Sequence, residues 1–241
     1  MKQATAVIPV RYQSRRFPGK PLALIQGKPL VQRVYERAQK AKHVNRIIIA
    51  TDDKRIYQTA ENFGAEVRMT SPSHHSGTDR VAEVAKEIKS PIIINIQGDE
   101  PLLKGEVIDS LVVALQDNTI PMATLAARMN DLSLLNEKNI VKVVSDANGF
   151  ALYFSRSPLP FQASDYFLQH IGIYGYQKDF LLAFSKMQPS RLEKTEKLEQ
   201  LRALENGYKI KIIETQLHSL SVSSPQDIIK VENLLKKKND D

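Results

Sequence analysis

Short aliphatic and β-branched runs alternate with stretches of helical periodicity through the first half of the chain, and this alternation constrains the fold more than any other feature. Ala4–Val10 reads as a first buried strand, 29–41 as a helix with Leu30, Val34 and Ala41 on one face, and Arg46–Thr51 as a second strand. Asp52 and Asp53 stand where a helix N-cap is wanted, and Ile56, Ala60 and Phe63 mark the helix face that follows, ending at Gly64. Glu66–Met69 predicts a third strand, 78–88 a helix, 91–96 a fourth, fully apolar strand and 105–115 a further helix. Continuous apolar strands separated by helices predict an α/β fold whose mostly parallel central sheet carries helices on both faces. Ligands of such sheets bind beyond the carboxyl ends of the strands. Chemistry is therefore expected after Val10, Thr51, Met69 and Ile96.

The second half changes character. Segments 139–145, Ala151–Ser155 and 169–176 read as strands joined by turns such as 146–149, with Pro158 and Pro160 interrupting them. This predicts an inserted sheet or dimerisation lobe over 139–177, within a single domain spanning 1–241. Helical patterning returns at 178–185 and 191–205, and a last strand at 208–214 leads through Ser223, Ser224 and Pro225 into a final helix. With 42% hydrophobic residues in 241, the chain can build a sizeable core.

The formal net charge of +7 favours anionic partners. The absence of cysteine excludes disulfides, thiolate metal ligands and cysteine nucleophiles, and accords with a reducing cytoplasm. No apolar run approaches the ~20 residues needed to span a bilayer. The run Ala4–Val10 is too short, and too soon followed by Arg11, for a signal peptide. A nucleic-acid binder would show an aromatic-rich basic surface signature, and a dinucleotide-dependent oxidoreductase a Gly-x-Gly-x-x-Gly turn; neither pattern is present.

Four segments carry candidate chemistry. The stretch 11–21 follows the first strand and holds Arg11, Arg15, Arg16 and Lys20, with Gly19 allowing close backbone approach. Such charges and free amides suit phosphate oxygens, although the pattern is not a Walker A loop. Gln97-Gly98-Asp99-Glu100-Pro101 follows the fourth strand, where an aspartate can hold a Mg²⁺ that bridges substrate phosphates. Ser76-Gly77-Thr78-Asp79-Arg80 opens a helix and offers hydroxyls and amides to ligand oxygens. His74 and His75, being adjacent, read as surface residues. In the second half, Arg156 could fork onto a carboxylate, with His170 and Glu199 bonding hydroxyls; taken singly, each has an equally good structural explanation.

Together these segments resemble the 3-deoxy-manno-octulosonate (Kdo) cytidylyltransferases, or CMP-Kdo synthetases. The marks are Ile8-Pro9-Val10-Arg11-Tyr12, Phe17-Pro18-Gly19-Lys20-Pro21-Leu22, Ser76-Gly77-Thr78-Asp79-Arg80, Asn95-Ile96-Gln97-Gly98-Asp99-Glu100-Pro101, Tyr153-Phe154-Ser155-Arg156 and His170-Ile171-Gly172-Ile173-Tyr174. The resemblance runs from Ile8 to the final helix and implies a nucleotide-diphospho-sugar transferase fold, a homodimer and Mg²⁺ dependence. It implies that Arg11, Ser14 and Lys20 bind the triphosphate of CTP, that Ser76, Arg80 and Gln97 surround the nucleotide, and that Asp99 is a metal ligand. Lys20, Arg11 and Asp99 would carry the catalysis. Arg156, His170, Tyr174, Glu199 and Gln200 fall in segments that line the family's sugar-acid pocket. One departure stands out: the family's Val-Asp-x-Pro turn, whose aspartate is the second metal carboxylate, reads Val222-Ser223-Ser224-Pro225 here. Two readings of the acceptor follow, plain Kdo with a weaker metal site, or a modified sugar acid such as 8-amino-Kdo.

Overall fold

A computed structural model describes residues 1–13, 17–216 and 220–237. Strand β1 (Ala4–Val10) is buried along its whole length, as expected of a strand covered on both faces. A two-residue hairpin, β2 (Leu24–Ile25) with β3 (Lys28–Pro29), leads into α1 (Leu30–Ala38), which stops three residues short of the expected helix. Then come β4 (Arg46–Thr51), α2 (Lys54–Asn62), β5 (Glu66–Met69), α3 (Gly77–Ala85), β6 (Ile92–Asn95) and α4 (Gly105–Ala114). Of the two aspartates before α2, Asp53 is the N-cap and accepts from the Arg55 amide.

Strand β7 (Met122–Met129) is an element the sequence reading missed. It is followed by β8 (Lys142–Ser145), β9 (Ala151–Ser155), the long β10 (Phe167–Gln177), α5 (Lys178–Phe184), α6 (Arg191–Glu196), α7 (Leu201–Glu205), β11 (Ile210–Thr215) and α8 (Pro225–Lys237). The single helix expected over 191–205 is broken in two, because Lys197 adopts the left-handed conformation with φ 56°.

Among the described residues the main sheet has the order β11-β7-β10-β6-β1-β4-β5, with β8 paired to β10 and β9 paired to β8. Strands β5, β4, β1 and β6 run parallel. Strand β10 runs antiparallel to both β6 and β7, and β11 is parallel to β7. The segment 139–177 therefore divides. Its last strand is integral to the central sheet, whereas the β8–β9 hairpin lies off the main path.

Strand alternation sorts side chains into two cores. Ala4, Ala6, Ile8 and Val10 face one core, closed by α1, α2, α4 and α8, while Val7 faces the other with α3, α5 and α7. This sandwich holds the ends of β1 and β6 side by side, and the loops that leave them form the floor of the cleft described next.

Candidate active site

The cleft begins where β1 ends. Arg11 lies exposed on its wall, and the chain then loops back so that the Gly19 amide donates to the Tyr12 carbonyl at 2.9 Å. Gly19 has φ +72°, and a Cβ there would sit 3.1 Å from the Tyr12 ring, so both conformation and space call for glycine. This closure delivers Lys20 into the cleft. Its ammonium donates to Asp99 Oδ2 at 2.7 Å and to the Val222 carbonyl at 2.9 Å. Asp99 comes from the loop after β6, and the preceding Gly98 lies so close to β1 that a Cβ would meet Val10 Cγ1 at 2.2 Å. The Val222 amide donates to the Asp99 carbonyl at 2.9 Å, so three distant chain segments meet at one ammonium.

The opposite wall is the start of α3. Ser76 and Asp79 form a capping box, leaving the Gly77 end of the helix facing a cleft of about 310 Å³. Helix starts attract anions. Arg80 also lines this cleft, but it is buried and its guanidinium is held by Asp52 at 2.8 Å and by the Thr70 hydroxyl. His74 and His75 line the cleft too; His75 is exposed, as a surface reading expects, and His74 is half-buried. His74 is bonded to Glu83, which also accepts from the Ser71 amide at 3.0 Å. Their place in the loop after the carboxyl end of β5 was the signal available in the sequence.

A second chamber of about 620 Å³ adjoins the first and shares His75, Ser76, Gly77 and Gln97 with it. Tyr174 and Glu199 line this chamber. Glu199 accepts from the Thr78 hydroxyl, and burial raises its carboxyl above the ordinary value, with the Thr78 and Ser76 hydrogen bonds opposing the rise. The left-handed break at Lys197 is what swings Leu198 and Glu199 toward α3 instead of along a continuing helix. Arg202 braces this turn through a bidentate pair with Glu193, at 2.8 and 2.5 Å.

The remaining predicted sugar-site residues stand behind or beside the chamber wall. Gln200 is buried and accepts from the Tyr174 hydroxyl at 3.2 Å, while its Nε2 finds no partner among the described residues. His170 packs edge-on to Phe154 and beside Tyr174, and its Nε2 lies 3.0 Å from the Thr124 hydroxyl. Arg156 is not brought to either chamber: its Nε donates to the Glu196 carbonyl at 3.0 Å and its Nη1 to the Lys138 carbonyl at 2.9 Å. Ser14, with Arg15 and Arg16, lies outside the described residues. Ser223 directly follows Val222, so it stands one residue from the Lys20–Asp99 contact.

A mostly parallel sheet with a cationic cleft at its carboxyl edge, an aspartate at the floor and an adjoining polar chamber defines a nucleotidyltransferase-type α/β protein. Comparison with known proteins gives the family. Residues 5–212 match the Cytidylyltransferase family model. Two curated relatives, both named 3-deoxy-manno-octulosonate cytidylyltransferase, are each 50% identical: that of Syntrophotalea carbinolica over 95% of this chain and 96% of its own, and that of Geobacter sulfurreducens over 96% and 99%. A solved CMP:2-keto-3-deoxy-manno-octonic acid synthetase complexed with CTP superposes with a TM-score of 0.94 at 39% identity, covering 98% of this chain and 99% of that one. The chain belongs to the 3-deoxy-manno-octulosonate cytidylyltransferase family.

Burial pushes the His170 imidazole down from 6.5 to about 3. The folded state therefore refuses a proton that the unfolded chain accepts, so this residue's contribution to stability is full above pH ~6.5 and declines as pH falls toward 3. Urea unfolding at a series of pH values should show this decline, and His170→Gln should flatten it. An imidazole seen by NMR to titrate near 6.5 in the folded protein would contradict this placement.

Proposed function

We propose that this chain transfers CMP from CTP to the anomeric hydroxyl of Kdo and releases pyrophosphate. The observation that carries the reading is the pair of chambers meeting at Ser76, Gly77 and Gln97, with Arg11 and Lys20 suited to phosphates in one, and Tyr174 and Glu199 suited to hydroxyls beside Lys186, Lys194 and Lys197 suited to a carboxylate in the other. The triphosphate would lie along Arg11 and Lys20, and the sugar acid beside Tyr174 and Glu199. The sugar oxygen attacks the α-phosphorus, forming the new P–O bond as the bond to the bridging oxygen of the pyrophosphate breaks. Lys20 and Arg11 offset charge on the departing phosphates, and the shared wall holds the reacting atoms in line. We assign no protein base to the hydroxyl proton.

The donor set suits Mg²⁺. One carboxylate on a cleft floor, beside the place where phosphates bind, is the arrangement this ion favours over an all-protein cage. No group of three histidine or acidic residues that could hold a metal occurs among the described residues, so substrate oxygens would supply the rest. Asp99 would hold the ion, which when bound would neutralise phosphate charge. The enzyme would act in the cytoplasm, where CTP is made.

We further propose a homodimer. Leu152 on β9 is 62% exposed and Phe161, six residues beyond that strand, is 87% exposed, and exposed large apolar side chains of this kind suit contact with a second copy. Sedimentation should give twice the 27.2 kDa chain mass, and Leu152→Glu with Phe161→Glu should shift the population to monomer. A monomer at all loading concentrations would rule this out.

Pyrophosphate release should require CTP, Kdo and Mg²⁺ together, with ATP or GTP giving little. Lys20→Ala should lower kcat by roughly 10²–10³-fold, the usual loss for a donor aimed at developing charge, while leaving the fold intact. Steady-state kinetics unchanged by that substitution, or full turnover in excess chelator, would sink the assignment.

Ser223 favours testing a second acceptor. Replacing a metal carboxylate with a hydroxyl removes one negative charge beside Asp99, which weakens the hold on a hard cation and alters the surroundings of the sugar. We expect plain Kdo to be preferred over 8-amino-Kdo, and Ser223→Asp to tighten apparent Mg²⁺ affinity. Comparing kcat/KM for both sugars in both proteins decides it. A preference for 8-amino-Kdo that swings to Kdo in Ser223→Asp would overturn the choice of plain Kdo.

A further inference from the structure

We propose that Asp227 is a positioning residue: through the Ser223–Ser224 turn it fixes the Val222 carbonyl that holds Lys20 in the cleft. The proposal rests on the nucleotidyl-transfer reading above.

Asp227 lies in the first turn of α8 and is not among the residues that line the cleft. Asp227 Oδ2 accepts from the Ser223 amide at 3.0 Å, the Ser224 amide at 2.9 Å and the Ser224 hydroxyl at 2.9 Å, while Oδ1 meets the Lys230 ammonium at 3.2 Å. Three donors on one carboxylate oxygen pin the two residues that precede α8. Charge-assisted bonds of this kind are among the stronger ones available to a turn. Val222, the next residue back, is fully buried in the core that α8 closes. Its amide is bonded to the Asp99 carbonyl and its carbonyl to Lys20 Nζ, both at 2.9 Å. Asp227 is thus two hydrogen bonds from the ammonium that the reaction needs: its carboxylate accepts from the Ser223 amide, and the same peptide group carries the Val222 carbonyl that accepts from Lys20.

Helix α8 reaches the same lysine by a second route. Glu232 Oε1 accepts from the Gln26 amide at 2.7 Å, and the Glu232 carbonyl accepts from Gln26 Nε2 at 3.4 Å. Gln26 sits in the turn of the β2–β3 hairpin with φ 46°, four residues beyond the short 3₁₀ turn Lys20–Leu22. Glu232 of α8 therefore holds the backbone at Gln26, six residues beyond Lys20, while Val222, in the segment before α8, holds the end of the Lys20 side chain. A lysine has a long flexible stem, and a misplacement of about 1 Å can cost on the order of 10²-fold in rate. Such a side chain gains most from a carbonyl that cannot move. Without Asp227, two turn amides lose their acceptor and the Val222 carbonyl loses its support.

The test is a pair of substitutions measured alone and together. Natural enzyme is first assayed for pyrophosphate release from CTP with Kdo; failure there would reject the functional reading and leave Asp227 aside. Given turnover, Asp227→Ala should lower kcat/KM for CTP by ~10–100-fold while KM for Kdo moves less than about threefold. In the Lys20→Ala background the same substitution should change kcat/KM by less than about twofold, because the lysine it positions is gone. Where turnover of Lys20→Ala is too slow to follow, CTP affinity by calorimetry is compared across the same four proteins. Thermal midpoints are recorded for each, since a purely structural loss would appear equally in both backgrounds. If Asp227→Ala does not fold, Asp227→Asn, which keeps one acceptor oxygen and the side-chain volume, carries the same comparison with a smaller expected effect. An equal loss with and without Lys20, or no loss in the natural background, would overturn the proposal.

Discussion

The ion pair between Lys20 and Asp99 is the contact on which the rest of the site depends. It joins the loop after β1 to the loop after β6 at 2.7 Å, and the Val222 carbonyl completes the arrangement from the C-terminal turn. Both side chains are mostly buried, at 19% and 27% exposure, so water screens them only in part. Removing one partner would leave the other charge with little compensation. The surrounding structure is built to bring these two groups together: β1 and β6 lie side by side, Gly98 permits the crossing over Val10, and Gly19 turns the basic loop back onto Tyr12.

Both chambers carry cationic side chains, Arg11 and Lys20 in the first and Lys186, Lys194 and Lys197 in the second. The first is bordered by Arg11 and Lys20 and by the start of α3, all favourable to phosphate. Asp99 is the carboxylate on its floor. The second chamber is walled by Glu199, Tyr174 and the braced turn of Arg202 and Glu193, groups that bond hydroxyls. Arg80 serves differently from a phosphate-facing cation. Its pairing with Asp52 fastens α3 to the loop after β4, and that fastening keeps the Ser76–Gly77 wall in place.

Much of this was legible in the sequence, for identifiable reasons. Parallel strands covered on both faces leave long aliphatic runs, so β1 and β4 were read to the residue; the short edge strand β5 was also placed, although only its Val67 is buried. The loops after β1, β5 and β6 were expected to hold the site, and Lys20, Ser76 and Asp99 from them line one cleft. Strand β7 escaped because Met122-Ala123-Thr124-Leu125-Ala126-Ala127 is rich in alanine, which carries no strand signature; its place between β10 and β11 is what makes it extended. The break at Lys197 was equally hidden, since Arg191 to Glu205 keeps helical periodicity across it. For Arg156 the residue type was legible but its surroundings were not: tertiary packing sets its guanidinium against the Glu196 and Lys138 carbonyls.

The most direct test of the account is a crystal structure of this chain with CTP and Mg²⁺. The account predicts the triphosphate in the first chamber, within hydrogen-bond reach of Lys20 Nζ and Arg11, with the cytidine against the Ser76 and Gln97 wall and the second chamber open for the sugar acid. CTP bound elsewhere, with Lys20 still on Asp99 and no phosphate contact, would contradict it.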